Sequence, residues 1–322
     1  MNRFLSIVAS LVLSLLPRVG LEHPNVQRAN AENPIIWADV PDPSAIRVGD
    51  TYYMSSTTMH LSPGLPIMKS TDLVNWHIVG YAYDTLEEND SLNLRNGKDA
   101  YGQGSWASQR ALPAIVASDE FSRRPGQPAL PLVWQWNHNP DNRFWSITER
   151  PGYLRMRTGR VDNDILSARN TLTQRTFGPQ CSGTIAMDVS HMNKGDYAGL
   201  ALLQRKYGFI GVKAAENALQ IVMVSGDGNL PVEVQNVPVA QKVVYLKAEC
   251  DFRNRTDRAS FYYSLDGKVW TAIGKPLHML YTLPHFMGYR FALFNFATQT
   301  AGGSVDFDYF RVSAGRIDPS GA

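Results

Sequence analysis

At 322 residues the chain has the length of about two domains. Hydrophobic residues at 44% and aromatics at 11% suffice for packed cores, and charged residues at 19% are on the low side. A formal charge of +2 supplies no electrostatic reason to expect nucleic acid or an anionic membrane as partner.

The N-terminus reads as an export signal. Arg3 gives a short positive region and residues 4–16 an apolar run too short to span a bilayer. Ala29-Asn30-Ala31 has the small-x-small form of a cleavage site, and the mature start is expected between residues 18 and 32. Residues 1–31 are therefore read as signal peptide and leader, and the chain as secreted or periplasmic, with no membrane span.

A proline-rich turn, Pro41-Asp42-Pro43-Ser44, precedes three strand-like runs at 51–56, 65–70 and 76–83. Three antiparallel strands of this size make most of one propeller blade. A blade standing alone leaves apolar faces and strand edges open, so association of the chain with itself through those edges is expected. Residues 84–105 are polar and read as a long loop, either the rim of an active site or a connector.

From about residue 118 the pattern is all-β. Strands are expected near 144–147, 153–158, 183–189, 197–204, 208–213, 219–225, 243–251, 259–264, 269–273, 291–296 and 305–312, with tight hairpins at Asp227-Gly228 and Asp266-Gly267. Many short strands with regular turn signals indicate a sandwich. Cys181 and Cys250 either pair in an oxidising compartment or stay as buried thiols. No internal repeat is visible.

Two runs carry a resemblance. Asn33-Pro34-Ile35-Ile36, Ala38-Asp39-Val40-Pro41-Asp42-Pro43-Ser44, Lys69-Ser70-Thr71-Asp72-Leu73-Val74-Asn75-Trp76 and Gly104-Ser105-Trp106-Ala107-Ser108 follow one another as in the opening blade of family 43 glycoside hydrolases. That family holds β-xylosidases and α-L-arabinofuranosidases built as five-bladed propellers. Trp134-Gln135-Trp136-Asn137-His138-Asn139, Glu149-Arg150-Pro151-Gly152-Tyr153-Leu154, Asp196-Tyr197-Ala198-Gly199-Leu200 and Phe307-Asp308-Tyr309-Phe310-Arg311 resemble the concanavalin-like sandwich that follows the propeller in many of its members. The resemblance implies an all-β chain: a partial propeller segment over 32–110, then a β-sandwich over 111–322, with the middle blades absent.

Inverting glycoside hydrolysis needs one carboxylate to activate water and a second, protonated carboxyl to release the leaving oxygen. Asp42 is the candidate base: its flanking prolines fix the turn from which the carboxylate projects, and it stands where the family has its general base. Read by itself, an Asp in such a turn also serves simply to accept backbone hydrogen bonds. Asp39 is a weaker candidate nearby. The family's general acid belongs to later blades, and residues 107–117 contain no Asp or Glu. Glu87, Glu88, Asp90 and Glu149 read as solvated or ion-paired surface.

By the same resemblance Trp106 lies near the sugar pocket, where an aromatic face stacks on a pyranose. Met59 and His60 follow a strand end at which the family places sugar-contacting side chains. The resemblance also raises a structural calcium site, with Asp119 and Glu120 early in the sandwich meeting Asp308, beside Asp306, on the last strand; the alternative is ordinary acidic strand-edge residues. No organic cofactor is expected, since zinc-ligand spacing, phosphate loops and nucleophile elbows are absent. The expected substrate is a xylan-derived or arabino-oligosaccharide. Three readings follow: an impaired glycosidase, a non-catalytic carbohydrate-binding or structural sandwich, or an internal-deletion product folded only in its C-terminal half.

Overall fold

Proline and hairpin chemistry set the start of the fold. In the computed structural model, which describes residues 31, 34–102, 115–216, 218–283, 285 and 287–315, β1 (Ser44–Val48) begins directly after Pro43. It turns through Gly49, at φ +60°, into β2 (Thr51–Ser55). β3 (Gly64–Ser70) and β4 (His77–Tyr83) complete a four-stranded antiparallel sheet in the order β1-β2-β3-β4. Three of these strands fall on the expected runs. The fourth, β1, is added by the Ser44-Ala45-Ile46-Arg47-Val48 segment, which is exposed throughout and carries no apolar alternation to announce it.

The β3–β4 turn shows how the sequence specifies a local shape. Ser70 Oγ accepts the N–H groups of Asp72 and Leu73 (3.1 and 2.8 Å), and Asp72 Oδ1 those of Val74 and Asn75 (2.9 and 2.7 Å). The same construction recurs in the sandwich. Ser264 Oγ accepts from Asp266 and Gly267, and Asp266 Oδ1 from Lys268 and Val269, both at 2.8 Å. Each motif reads Ser-x-Asp-x-x-x-Trp and closes on Trp76 or Trp270. The position after the Asp is left-handed in both, Leu73 at φ +65° and Gly267 at +74°.

The remaining strands make the sandwich: β5 (Gln135–Trp136), β6 (Trp145–Ser146), β7 (Leu154–Arg157), β8 (Leu172–Arg175), β9 (Gln180–His191), β10 (Asp196–Leu203), β11 (Tyr207–Ala214), β12 (Leu219–Gly226), β13 (Val232–Val239), β14 (Val243–Asp251), β15 (Arg258–Ser264), β16 (Thr271–His278), β17 (Arg290–Ala297) and β18 (Ser304–Ala314). They form two seven-stranded sheets, β13-β12-β11-β10-β17-β8-β5 and β16-β15-β14-β9-β18-β7-β6. Among the described residues the one helical piece is a 3₁₀ turn at Arg253–Arg255. Two expected turns are longer than tight hairpins. Residues 227–231 separate β12 from β13, and residues 265–270 separate β15 from β16, because the Asp266 side chain captures the next backbone donors.

Alternation along the long strands builds the core. Leu200, Ile210, Ile221 and Phe291 from one sheet meet Ile185, Leu246, Phe261 and Phe307 from the other, all at most 1% exposed. Burying each such side chain contributes about 1.5–3 kcal/mol. A second cluster, including Phe209, Phe294 and Phe296, covers the opposite face of the first sheet. Cys181 and Cys250 lie opposite each other on β9 and β14 as free, buried thiols.

Glu32–Ala322 form one compact unit. Ser62 and Trp136 exchange backbone hydrogen bonds, Ser62 Oγ donates to Asn139 Oδ1 (2.8 Å) and Gln135 Nε2 to Pro63 O (2.6 Å). The polar loop is also tied in: Asn139 N–H donates to Leu92 O (3.0 Å) and Arg169 Nη2 to Asn93 Oδ1 (3.1 Å).

Candidate functional site

Asp42 is exposed at the crown of its turn with φ +47°, a left-handed conformation that Asp tolerates better than bulkier residues. The turn beneath it is anchored. Pro41 O accepts from Thr57 N–H (3.0 Å) and Ser56 Oγ–H (2.9 Å), and Ser44 pairs with Ser55. The carboxylate therefore projects to solvent from a fixed backbone. Asp39 takes the opposite course. Its side chain packs against Gly288, where an added Cβ would lie 3.1 Å from the Asp39 Cγ, and burial raises its pKa against a hydrogen bond from the Gly288 N–H.

Met59 and His60 sit between the four-stranded sheet and the sandwich and have essentially no exposed surface, at 0% and 1%. Met59 packs with Leu61 and Met287. His60 enters a ring cluster drawn from four separate segments: it stacks on His138 (centroids 4.4 Å apart) and meets Tyr101 edge-on (4.7 Å) and His285 (5.5 Å). His60 Nε2 is 3.0 Å from Asn137 Oδ1, and Asn137 Nδ2 donates to the Tyr101 hydroxyl (2.9 Å), which donates to Leu166 O (2.9 Å). Burial, with repulsion between neighbouring imidazoles and Arg290, holds His60 well below its usual pKa. Burial likewise depresses His138 to about 3 and His285 to about 4. All three are neutral at physiological pH. The sequence signal at His60 was its place after β2; nothing local pointed to Tyr101, His138 or His285 as its partners. Trp106 lies outside the described residues.

The acidic pair early in the sandwich is fully engaged by protein donors. Asp119 takes a two-pronged bond from Arg123 (2.8 and 2.6 Å), with further donors in Trp134 Nε1 (2.9 Å) and Phe121 N–H (2.8 Å). Glu120 is gripped by Arg311 (2.7 and 2.8 Å). Asp306 is held by Arg155 and Arg150 (2.7–2.8 Å), whose hydrogen bonds outweigh the burial that would raise its pKa. Burial, with repulsion from Glu120, raises Asp308. This arrangement does not fit calcium: guanidinium groups occupy the positions a cation would take, and no group of three acidic, His or Cys ligands occurs among the described residues.

A cleft of about 390 Å³ opens on the sandwich, lined by Phe144, Arg157, Asp162, Arg169, Asn295 and Phe296 among others. The Phe144 ring lies over Gly159, where an added Cβ would meet it at 2.7 Å. Asn295 donates to Met156 O (2.9 Å), while its buried Oδ1 has no partner among the described residues. Burial lifts Asp162 to about 6, and burial does the same for Asp196 at the start of β10. These raised carboxyls belong to the sandwich. On the N-terminal segment, Asp39 is raised and Asp42 is exposed, but the first is turned inward.

Residues 118–313 match the β-xylosidase C-terminal concanavalin A-like domain, and residues 31–110 match glycosyl hydrolases family 43. A β-xylosidase of Formosa agariphila is 29% identical over 223 residues, covering 62% of this chain and 35% of the relative. A non-reducing-end α-L-arabinofuranosidase of Bacteroides ovatus is 44% identical over 77 residues, 23% of this chain and 15% of the relative. Among solved structures, a bifunctional GH43-CE protein of Bacteroides eggerthii superposes with a TM-score of 0.84 at 40% identity, covering 88% of this chain and 61% of that one. The chain thus spans about a third of the length of the β-xylosidase it matches.

Proposed function

The chain belongs to family 43 of the glycosyl hydrolases, and we propose that it is a β-xylosidase/α-L-arabinofuranosidase-type member that keeps the general base and the sandwich but lacks the general acid. It is a saccharide-binding protein of impaired turnover. The observation that carries this reading is the junction between the two matched regions. The family 43 match ends at residue 110, the concanavalin-like match begins at 118, and the intervening Ala-Leu-Pro-Ala-Ile-Val-Ala holds no carboxyl group.

In this reading the four-stranded sheet is one blade of a propeller and Asp42 is the residue that would orient and deprotonate water for an inverting attack. The exposed carboxylate on an anchored turn suits that role. Inversion requires a second carboxyl roughly 6.5–9.5 Å from the first, protonated at working pH. Asp39 has the raised pKa but sits buried under Gly288. Without an acid, departure of an alkoxide loses about 10²–10⁴ in rate. The cleft offers polar side chains, Arg157, Asp162, Arg169 and Asn295, to the hydroxyls of a pentose chain. The signal-like run at residues 4–16 supports a place outside the cytoplasm, and the exposed edge strand β1, with Ile46 and Val48 at 40% and 58% exposure, supports association of the chain with itself.

The test pairs calorimetric titration of xylo- and arabinoxylo-oligosaccharides with hydrolysis of nitrophenyl-β-xyloside and nitrophenyl-α-arabinofuranoside. Binding is expected, with the oligosaccharides cleaved far more slowly than the nitrophenyl glycosides, since an alkoxide needs the missing acid where nitrophenol does not. Cleavage of the oligosaccharides as fast as of the nitrophenyl glycosides, abolished in Asp42→Ala, would show that an acid exists and would refute the proposal.

A further inference from the structure

Arg175 on β8 and Arg290 on β17 are direct cross-strand partners, so their side chains leave the same face of the sheet side by side. They are 1% and 3% exposed, and arginines are almost never so deeply buried unless paired. Their bonds go to neutral acceptors: Arg175 Nε to Asp39 O (2.9 Å), Arg290 Nε to Thr173 Oγ1 (2.9 Å) and Arg290 Nη2 to Gln135 Oε1 (2.9 Å). The Tyr81 hydroxyl adds a neutral contact to Arg175. Neither guanidinium makes a salt bridge among the described residues, and Nη1 of each is buried without an acceptor.

The charges do not balance. Two guanidiniums leave one sheet face from paired positions, and Asp39 is a carboxylate that acts on both. That carboxylate bonds the Gly288 N–H instead, and its Oδ2 has no partner among the described residues. Like charges opposite each other in a sheet destabilise it, and an uncompensated buried charge costs far more than a neutral polar group. Burial and the neighbouring Arg175 accordingly press Arg290 down to about 9, so the strain falls on this pair.

We propose that Arg175 and Arg290 form a buried site for a small monovalent anion of halide size, bound between their two Nη1 groups. The anion neutralises the excess charge and completes both donor sets. It also fixes Arg175, whose Nε holds the Asp39 carbonyl three residues before Asp42, so the site secures the Asp42-bearing segment to the sandwich.

The full chain is tested by thermal unfolding in sodium chloride or bromide against sodium gluconate at constant ionic strength. The midpoint is expected to rise by roughly 2–5 °C once halide reaches about ten times its Kd. Arg290→Met, which removes the excess charge, is expected to lose the halide response. Crystals grown in bromide are expected to show an anomalous peak within hydrogen-bond reach of both Nη1 atoms, a readout that stands even where the variant does not fold. Equal midpoints in halide and gluconate, an undiminished response in Arg290→Met, or no bromide between the two guanidiniums would each overturn the proposal.

Discussion

Acid should loosen the junction between the four-stranded sheet and the sandwich before it touches either core. His60, His138 and His285 are held neutral by burial, with pKa values far below the 6.5 of a free imidazole. A histidine whose folded pKa is depressed contributes its full share of stability above pH 6.5. It loses that share as pH falls toward the folded value, because the unfolded chain takes up protons that the fold refuses. By pH 5 His138 and His285 each cost about 2 kcal/mol, or about 4 together, and His60 acts in the same direction. Asp162 and Asp196, raised by burial to about 6, act in the opposite sense, since the folded form takes up protons between pH 6 and 4. Discounted for solvent screening, they return about 1 kcal/mol each or less. The net expectation is a loss of at least about 2 kcal/mol between pH 7 and pH 5, to be set against the roughly 5–15 kcal/mol that such folds possess. Urea unfolding followed by tryptophan fluorescence at pH 7, 6 and 5 measures it. His138→Gln should shallow the slope by about 1.4 kcal/mol per pH unit below pH 6. A stability that changes by less than about 1 kcal/mol over this range, or a slope unaltered in His138→Gln, would refute the reasoning.

Two further predictions concern the backbone. Leu73 occupies the left-handed position that Gly267 fills in the sister turn, so Leu73→Gly should be neutral to stabilising by up to about 1 kcal/mol, whereas Gly267→Leu should destabilise; chemical denaturation of both variants checks it. Gly199 faces Gly211 across β10–β11, and a Cβ there would lie 2.2 Å from Ile210 O. Gly199→Ala should therefore cost about 3 kcal/mol or more in unfolding free energy, while Gly80→Ala, with nothing within 4 Å, should change little.

The long strands were legible because alternation and β-branched or aromatic residues survive in the sequence wherever a sheet face meets the core, as in β10, β11, β12 and β17. The missed strands lack that signal for identifiable reasons. β8 is Leu-Thr-Gln-Arg, wholly buried yet polar, and its partners are remote: Gln174 bonds both backbone groups of Ala117 and Arg175 reaches Asp39. β13 is a largely exposed edge carrying Pro238, so neither face shows a pattern. β5 is two residues long and is held in place by Ser62 and Thr173.

The candidate site divides in the same way. The Asp42 turn is local, and two prolines spell it out. The imidazole cluster and the arginine pair are assembled from segments as far apart as residues 60, 175 and 285–290, and single-residue chemistry says nothing of such meetings. The acidic residues early and late in the sandwich were readable as a set, but not their partners. Arg123, Arg150, Arg155 and Arg311 bring the countercharge that a cation would otherwise supply.

The central claim is that a general base remains without a general acid. Hydrolysis of xylobiose tests it most directly, because its sugar leaving group depends on protonation far more than nitrophenol does. The pure chain, beside Asp42→Ala, should release xylose from xylobiose at least about 10²-fold more slowly than a full-length family 43 β-xylosidase. Release at the full-length enzyme's rate, lost in Asp42→Ala, would contradict the account.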